Sequence, residues 1–155
     1  MAKTSALRVL EAAKAPFEIC HYKYVERGGT QASSKALGVD EHIVVKTLVF
    51  ETNMGQAIVV LMHGDHQVST KKLARHLGVK SITPCSPASA QKHSGYQVGG
   101  TSPFGTRTAM PVYMQESIAT LPSIYINGGK RGLLVKLKPE TLKDLLQPEL
   151  VEVCA

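Results

Sequence analysis

Three short stretches carry side chains and backbone suited to acting on a polar ligand. Residues 95–105 read GYQVGGTSPFG, where Gly99, Gly100 and Gly105 surround the rigid Pro103. Glycine reaches positive φ without steric cost and lets a second backbone or a ligand come close; proline fixes φ and has no N–H to donate. The run predicts a loop of defined shape, presenting backbone amides and the hydroxyls of Thr101 and Ser102 to an oxyanion or a carbonyl. A structural double turn is the plainer alternative. Residues 128–132, GGKRG, gather Gly128, Gly129, Lys130 and Arg131. They form either a solvated hairpin turn or a phosphate clamp, with Arg131 as the bidentate partner and Lys130 as a point charge. Lys46 stands within the apolar run VVKTLVF, 44–50. A lysine among hydrophobes is costly unless it is paired, reaches water or faces a cleft. It reads either as an outward residue on a half-exposed strand or as a cation at a pocket mouth, aimed at a phosphate or carbonyl oxygen.

Other chemistries find little support. The glycine-rich loop is followed by no Gly-Lys-Ser/Thr and lacks GxGxxG spacing, so neither a Walker loop nor a dinucleotide fold is indicated. Ser102 has no GxSxG context. His63 and His66, in HGDH, match no zinc-site spacing and have no cysteine or third histidine nearby in sequence, so a turn capping the next helix is the better reading. TKKLARH (70–76) reads as a solvated basic helix face. Cys85 precedes a helix cap, a place that can lower a thiol pKa, but nothing else marks it as a nucleophile. No metal and no cofactor are expected.

The elements that must position these residues follow from periodicity and punctuation. A helix is predicted over 4–14 behind Thr4 or Ser5, with Pro16 ending it, and a strand over 17–24. A short helix at 31–37 stops at Gly38. Residues 44–51 and 56–63 flank a TNMG turn and predict a hairpin whose second strand is buried. Ser69 caps a helix over 70–77 that ends at Gly78, and Ser86–Pro87 opens another that ends at Gly95. Strands are expected near 79–83, 110–114, 123–127 and 133–138, with GGKRG joining the last two. A helix over 140–146 behind Pro139 and a short strand in LVEVC close the chain. Short turns between adjacent strands favour an α/β fold with a largely antiparallel or mixed sheet over a doubly wound one.

Composition narrows the setting. At 155 residues the chain has the size of one domain, with no repeat and no linker. No apolar run approaches the roughly 20 residues of a membrane helix, and the N-terminus does not read as a secretory signal. Cys20, Cys85 and Cys154 are too scattered for a disulfide framework and read as free thiols in a reducing, cytoplasmic setting. The net charge of +6 favours polyanionic partners. Aromatic content of 5%, with no Trp, argues against a base-stacking platform for single-stranded nucleic acid.

Taken in order, VVKTLVF, HLGVKSI, GYQVGGTSPFG and SIYINGGKRGLLV closely resemble the YbaK/EbsC family, over essentially the whole chain. The resemblance implies a single compact α/β domain over 1–155, with a central barrel-like mixed sheet surrounded by helices. It is the fold of the editing insertion domain of bacterial prolyl-tRNA synthetase. It also implies trans-editing: removal of cysteine from Cys-tRNA(Pro), and sometimes from Cys-tRNA(Cys). By position, Lys46 matches a lysine needed for activity that is thought to contact the tRNA 3′ end. Thr47 follows it as in the YbaK branch, and Tyr22 matches a pocket tyrosine. Gly99, Gly100 and Ser102, with Thr101 and Pro103 between and beside them, match the loop around the aminoacyl group. Gly128, Gly129 and Lys130, with Arg131, match the second loop. Leu134 stands where some members carry aspartate, and Asn127 where serine is frequent, so the polarity of the pocket differs there.

An aminoacyl ester is already activated, so a protein need only position it and stabilise developing charge. For a cysteinyl ester the resemblance implies substrate-assisted release, in which the substrate thiol attacks its own carbonyl and leaves as a thiolactone. Lys46 would hold the terminal adenosine phosphate or ribose, and amides near Gly100–Ser102 would support the carbonyl oxygen. The implied partners are a mischarged tRNA, gripped at its acceptor end, and prolyl-tRNA synthetase, which such a short chain would need for choosing the tRNA. A deacylase for alanine or serine, and a non-catalytic tRNA- or nucleotide-binding module, remain open beside this reading.

Overall fold

The apolar alternation of residues 44–63 sets up the centre of the fold. In the computed structural model, which describes residues 3–155, β2 (Val44–Thr52) and β3 (Ala57–His63) form an antiparallel hairpin, with Val45 opposite His63 and Glu51 opposite Ala57. Every residue of β3 is buried because both its faces are covered. Val59 and Leu61 join Leu7 and Leu10 of α1 (Ser5–Ala12) and Leu142 of α5 (Pro139–Leu146) in one apolar cluster. Ile58, Val60 and Met62 join Leu73 and Ala74 of α3 (Thr70–Leu77) in a second. Period-2 side chains thus feed two cores from one strand.

Around this hairpin lie β1 (Glu18–His21), β4 (Ile82–Pro84), β5 (Val112–Gln115), β6 (Ile124–Lys130), β7 (Leu133–Leu137) and β8 (Glu149–Val151). The eight-stranded sheet has the order β1-β7-β6-β2-β3-β5-β8, with β4 paired to β2 off this path. The β2–β6, β3–β5 and β5–β8 pairs are parallel and the others antiparallel. This is the mixed α/β sheet expected from the sequence, ending at β1 and β8 and not closed into a barrel.

Helix punctuation falls where the local signals put it. Ser69 Oγ accepts from Lys72 N–H at 3.2 Å and Gly78 ends α3 at φ 68°. Ser86 Oγ accepts from Ser89 N–H at 3.2 Å to start α4 (Pro87–Ser94), which Gly95 ends at φ 81°. The remaining helix, α2 (Gly29–Leu37), begins two residues before the expected 31. Two expectations need correction. The first strand stops at His21, because its partner β7 begins at Leu133: Tyr22 N–H still donates in register to Gly132 O (3.0 Å), but Gly132 is a turn residue at φ 81° and the ladder ends there. GGKRG is not a turn throughout. β6 continues to Lys130, with Gly128 and Gly129 as extra residues between the Asn127–Leu134 and Lys130–Leu133 pairs. Asn127 Oδ1 accepts from Gly129 N–H at 2.7 Å, and Gly129 sits at φ 107°, so side chain and glycine together build this bulge. Only Arg131 and Gly132 form the turn.

Candidate active site

The site begins with an irregularity of pairing along β2. On one edge β2 pairs with β3 along most of its length; on the other, β6 pairs only at Val44 and Val45 and β4 only at Phe50–Thr52. Between them, 46–48 have no strand neighbour on that edge among the described residues. Amide groups of alternate strand residues turn to opposite edges. Val44 O accepts from Gly64 N–H on the β3 side and Val49 O from Cys85 N–H on the other. Thr47 shares the direction of Val49, so its backbone N–H and C=O project into the gap. A cavity of about 510 Å³ opens there, walled by β2, α2, the end of β4 and the 98–101 loop.

Lys46, Thr47, Tyr22, Gly99, Thr101 and Asn127 all line this cavity. Lys46 is the one charged side chain on its wall among the described residues. Its Nζ donates to His66 O at 2.5 Å. Burial pulls the ammonium below the usual lysine range, while Glu41 and Asp65 oppose that pull. Thr47 Oγ1 is buried and has no hydrogen-bond partner among the described residues. An unpartnered buried hydroxyl costs about 1–3 kcal/mol, and this one lies in the stretch of β2 that borders the cavity. Burial raises the Tyr22 hydroxyl above the ordinary tyrosine range, against the lowering effect of the Gly132 backbone bond. Cys85 also reaches the wall. Burial lifts its thiol, Glu51 adds to the lift and Ser89 opposes it, so at neutral pH it is a thiol and not a thiolate.

The two glycine loops meet backbone to backbone. A Cβ on Gly100 would stand 2.8 Å from Lys130 Cα and C and 2.9 Å from Arg131 N. Asn127 Nδ2 donates to Gly99 O at 3.0 Å, and Arg131 Nε donates to Val98 O at 2.9 Å. The Arg131 guanidinium also lies over the Tyr24 ring, 4.9 Å from its centroid. Thr4 Oγ1 donates to Gly128 O at 2.5 Å, tying the β6 bulge to the cap of α1. Gly100, Ser102, Pro103, Gly128, Gly129, Lys130 and Arg131 are not on the cavity wall; of these, Gly129 bonds Asn127 and Arg131 bonds Val98, which are. The Gly100 N–H donates to Gln97 O at 2.8 Å and is spent inside the loop. Ser102 is fully buried beside buried Pro103, and its Oγ accepts from Phe104 N–H at 3.1 Å.

Tyr24, Thr30 and Gln67 line the cavity without having been singled out from the sequence. Tyr24 lies two residues after Tyr22, an alternation that could have marked it. Thr30, in the first turn of α2, and Gln67, in the loop after β3, leave no local signal.

Residues 27–145 match the model of the aminoacyl-tRNA editing domain. The chain belongs to that family. The editing domain is similar to the Enterococcus faecalis protein EbsC, 28% identical over 152 residues, covering 97% of this chain and 93% of EbsC. EbsC is named, provisionally, as a Cys-tRNA(Pro)/Cys-tRNA(Cys) deacylase. It is also similar to a segment of the proline–tRNA ligase of Moorella thermoacetica, 30% identical over 118 residues, covering 72% of this chain and 20% of the ligase. A crystal structure described, provisionally, as a trans-editing enzyme for prolyl tRNA synthetase superposes with TM-score 0.85 at 23% identity, over 100% of this chain and 99% of that one. At that identity the superposition shows the shared fold. No helix among the described residues is long and apolar enough to cross a membrane.

Proposed function

We propose that this editing domain is a trans-acting deacylase that clears cysteine from Cys-tRNA(Pro), with the ester's own side chain as nucleophile. The observation that carries the reading is the make-up of the cavity wall: one cation, an unpartnered threonine hydroxyl, and no carboxylate or histidine among the described residues. Such a wall can bind and orient an ester, but among the described residues it carries no carboxylate or imidazole to activate water. Its single thiol is held protonated. A cysteinyl ester brings its own nucleophile. The substrate sulfur bonds to the carbonyl carbon, the ester C–O bond breaks, and the thiol proton passes to the departing ribose oxygen, giving free tRNA and a thiolactone. The Lys46 ammonium would pair with phosphate or ribose oxygen at the tRNA 3′ end. Thr47 and the Gly99–Thr101 segment would contact the aminoacyl group. The name of EbsC and the similarity to a proline–tRNA ligase segment favour tRNA(Pro) as carrier and the synthetase as a partner, in the cytoplasm. The test is deacylation of Cys-tRNA(Pro) by the purified protein and its Lys46→Ala variant, with folding checked by circular dichroism. Release by the wild type and loss of about a hundredfold or more in the variant is expected. Equal rates in a folded Lys46→Ala protein would end this role for the lysine. Tight, salt-sensitive tRNA binding without release would instead point to a non-catalytic module.

A further inference from the structure

Outside the cavity wall, at the Lys46 end, three side chains from two separate turns converge. His42 comes from the 3-10 turn Glu41–Ile43 that precedes β2, and Asp65 and His66 from the turn after β3. One ligand atom from each lies within 4.8 Å of the other two. Asp65 Oδ1 is 2.9 Å from His42 Nδ1 and 3.6 Å from His66 Nε2. A tetrahedral ion with bonds of about 2.0–2.1 Å to nitrogen and oxygen sets neighbouring donors about 3.4 Å apart. These two separations bracket that edge, and the third pair, His42 and His66, lies within 4.8 Å, so the two imidazoles would draw together on the ion.

The rings are also held in place. His42 stacks on His63 with centroids 3.9 Å apart and planes 7° from parallel. His63 is fully buried and fixed at both nitrogens: Nδ1 donates to His42 O at 2.8 Å and Nε2 accepts from Ser117 Oγ at 2.6 Å. His63 therefore serves as a platform for a ligand ring, in the way that outer partners orient metal-binding imidazoles. We propose that His42, Asp65 and His66 form a binding site for one divalent transition-metal ion, best suited to Zn²⁺. Two imidazoles and one carboxylate favour such ions over Mg²⁺ or Ca²⁺, and three protein ligands leave a fourth position for water. The ion would tie the 63–67 turn to the 41–43 turn. Lys46 donates to His66 O on that turn, so the ion would fix the carbonyl that holds the cavity's cation.

The test uses the full chain without an affinity tag. Zn²⁺ binding is followed by calorimetry, and Co²⁺ binding by the visible absorption of a four-coordinate ion. One ion per chain is expected, and a higher melting temperature with Zn²⁺. His42→Ala, Asp65→Asn and His66→Ala should each weaken binding at least about tenfold. His76→Ala, which removes the exposed partner of Glu149 on α3, should leave binding unchanged. Excess Mg²⁺ should not displace the ion. No binding by the folded wild type, or Zn²⁺ affinity that survives in both His66→Ala and Asp65→Asn, would overturn the assignment.

Discussion

Thr47 Oγ1 is buried without a hydrogen-bond partner among the described residues, although valine would occupy the same volume in the same strand. β2 is otherwise built from residues that prefer strands, and valine is among the best of them. Thr47→Val should therefore stabilise the free protein by about 1 kcal/mol in urea unfolding, because it removes a desolvated hydroxyl. On the proposed role of Thr47 it should also slow deacylation by about tenfold, the loss of one neutral hydrogen bond to the aminoacyl group. The opposed signs separate a ligand-facing hydroxyl from one that merely packs. A variant that loses stability and activity together would argue for simple packing. Lys46 belongs to the same scale. It is half-buried, bonded to the backbone carbonyl of His66 and placed on the cavity wall.

Among the elements, the join between the two glycine loops makes a sharp prediction. A methyl group on Gly100 would meet Lys130 and Arg131 backbone atoms at 2.8–2.9 Å, and backbone cannot swing aside as a flexible side chain can. Gly100→Ala should cost about 1–3 kcal/mol of stability by overpacking. It should also lower activity by displacing Gly99 and Thr101 from the wall; denaturant unfolding and deacylation rates measure the two effects. Helices were legible because their signals are local. Ser69 and Gly78 bracket α3, and Ser86, Pro87 and Gly95 bracket α4, each through bonds within a few residues. The hairpin of β2 and β3 was legible through its apolar runs and turn. The β6 bulge was not, because GGKRG has the composition of a turn and its departure depends on Asn127 reaching over to Gly129. The open stretch of β2 was equally hidden. It exists because β6 and β4 each cover one end of the strand, a relation among segments distant in sequence. For the same reason HGDH looked like a lone histidine pair, while the fold supplies His42 from more than twenty residues upstream.

Among the described residues, no thiol is lowered toward a thiolate. Cys20, Cys85 and Cys154 are all raised above the ordinary thiol range, with burial the first cause in each. A raised thiol pKa leaves little thiolate at neutral pH and delays its appearance to more alkaline solution. Alkylation of Cys85 by iodoacetamide should thus be slow at neutral pH and climb only above the usual thiol range, followed by mass spectrometry. Cys85→Ala should keep most of the deacylase activity. The net charge of +6 suits a polyanionic acceptor stem, read through backbone and shape more than base sequence. Positive charge near the cavity comes from Lys46 on its wall and from Arg131 behind the 98–101 loop.

In the proposed mechanism the substrate's thiol, and no group of the protein, attacks the ester. Its most direct measurement compares release of cysteine and serine from the same tRNA(Pro), with mass spectrometry of the small product. Cysteine should be released at least about a hundredfold faster, first appearing as the thiolactone, because serine presents a far weaker nucleophile in nearly the same volume. Comparable rates for serine, or free cysteine with no thiolactone at the earliest times, would contradict it.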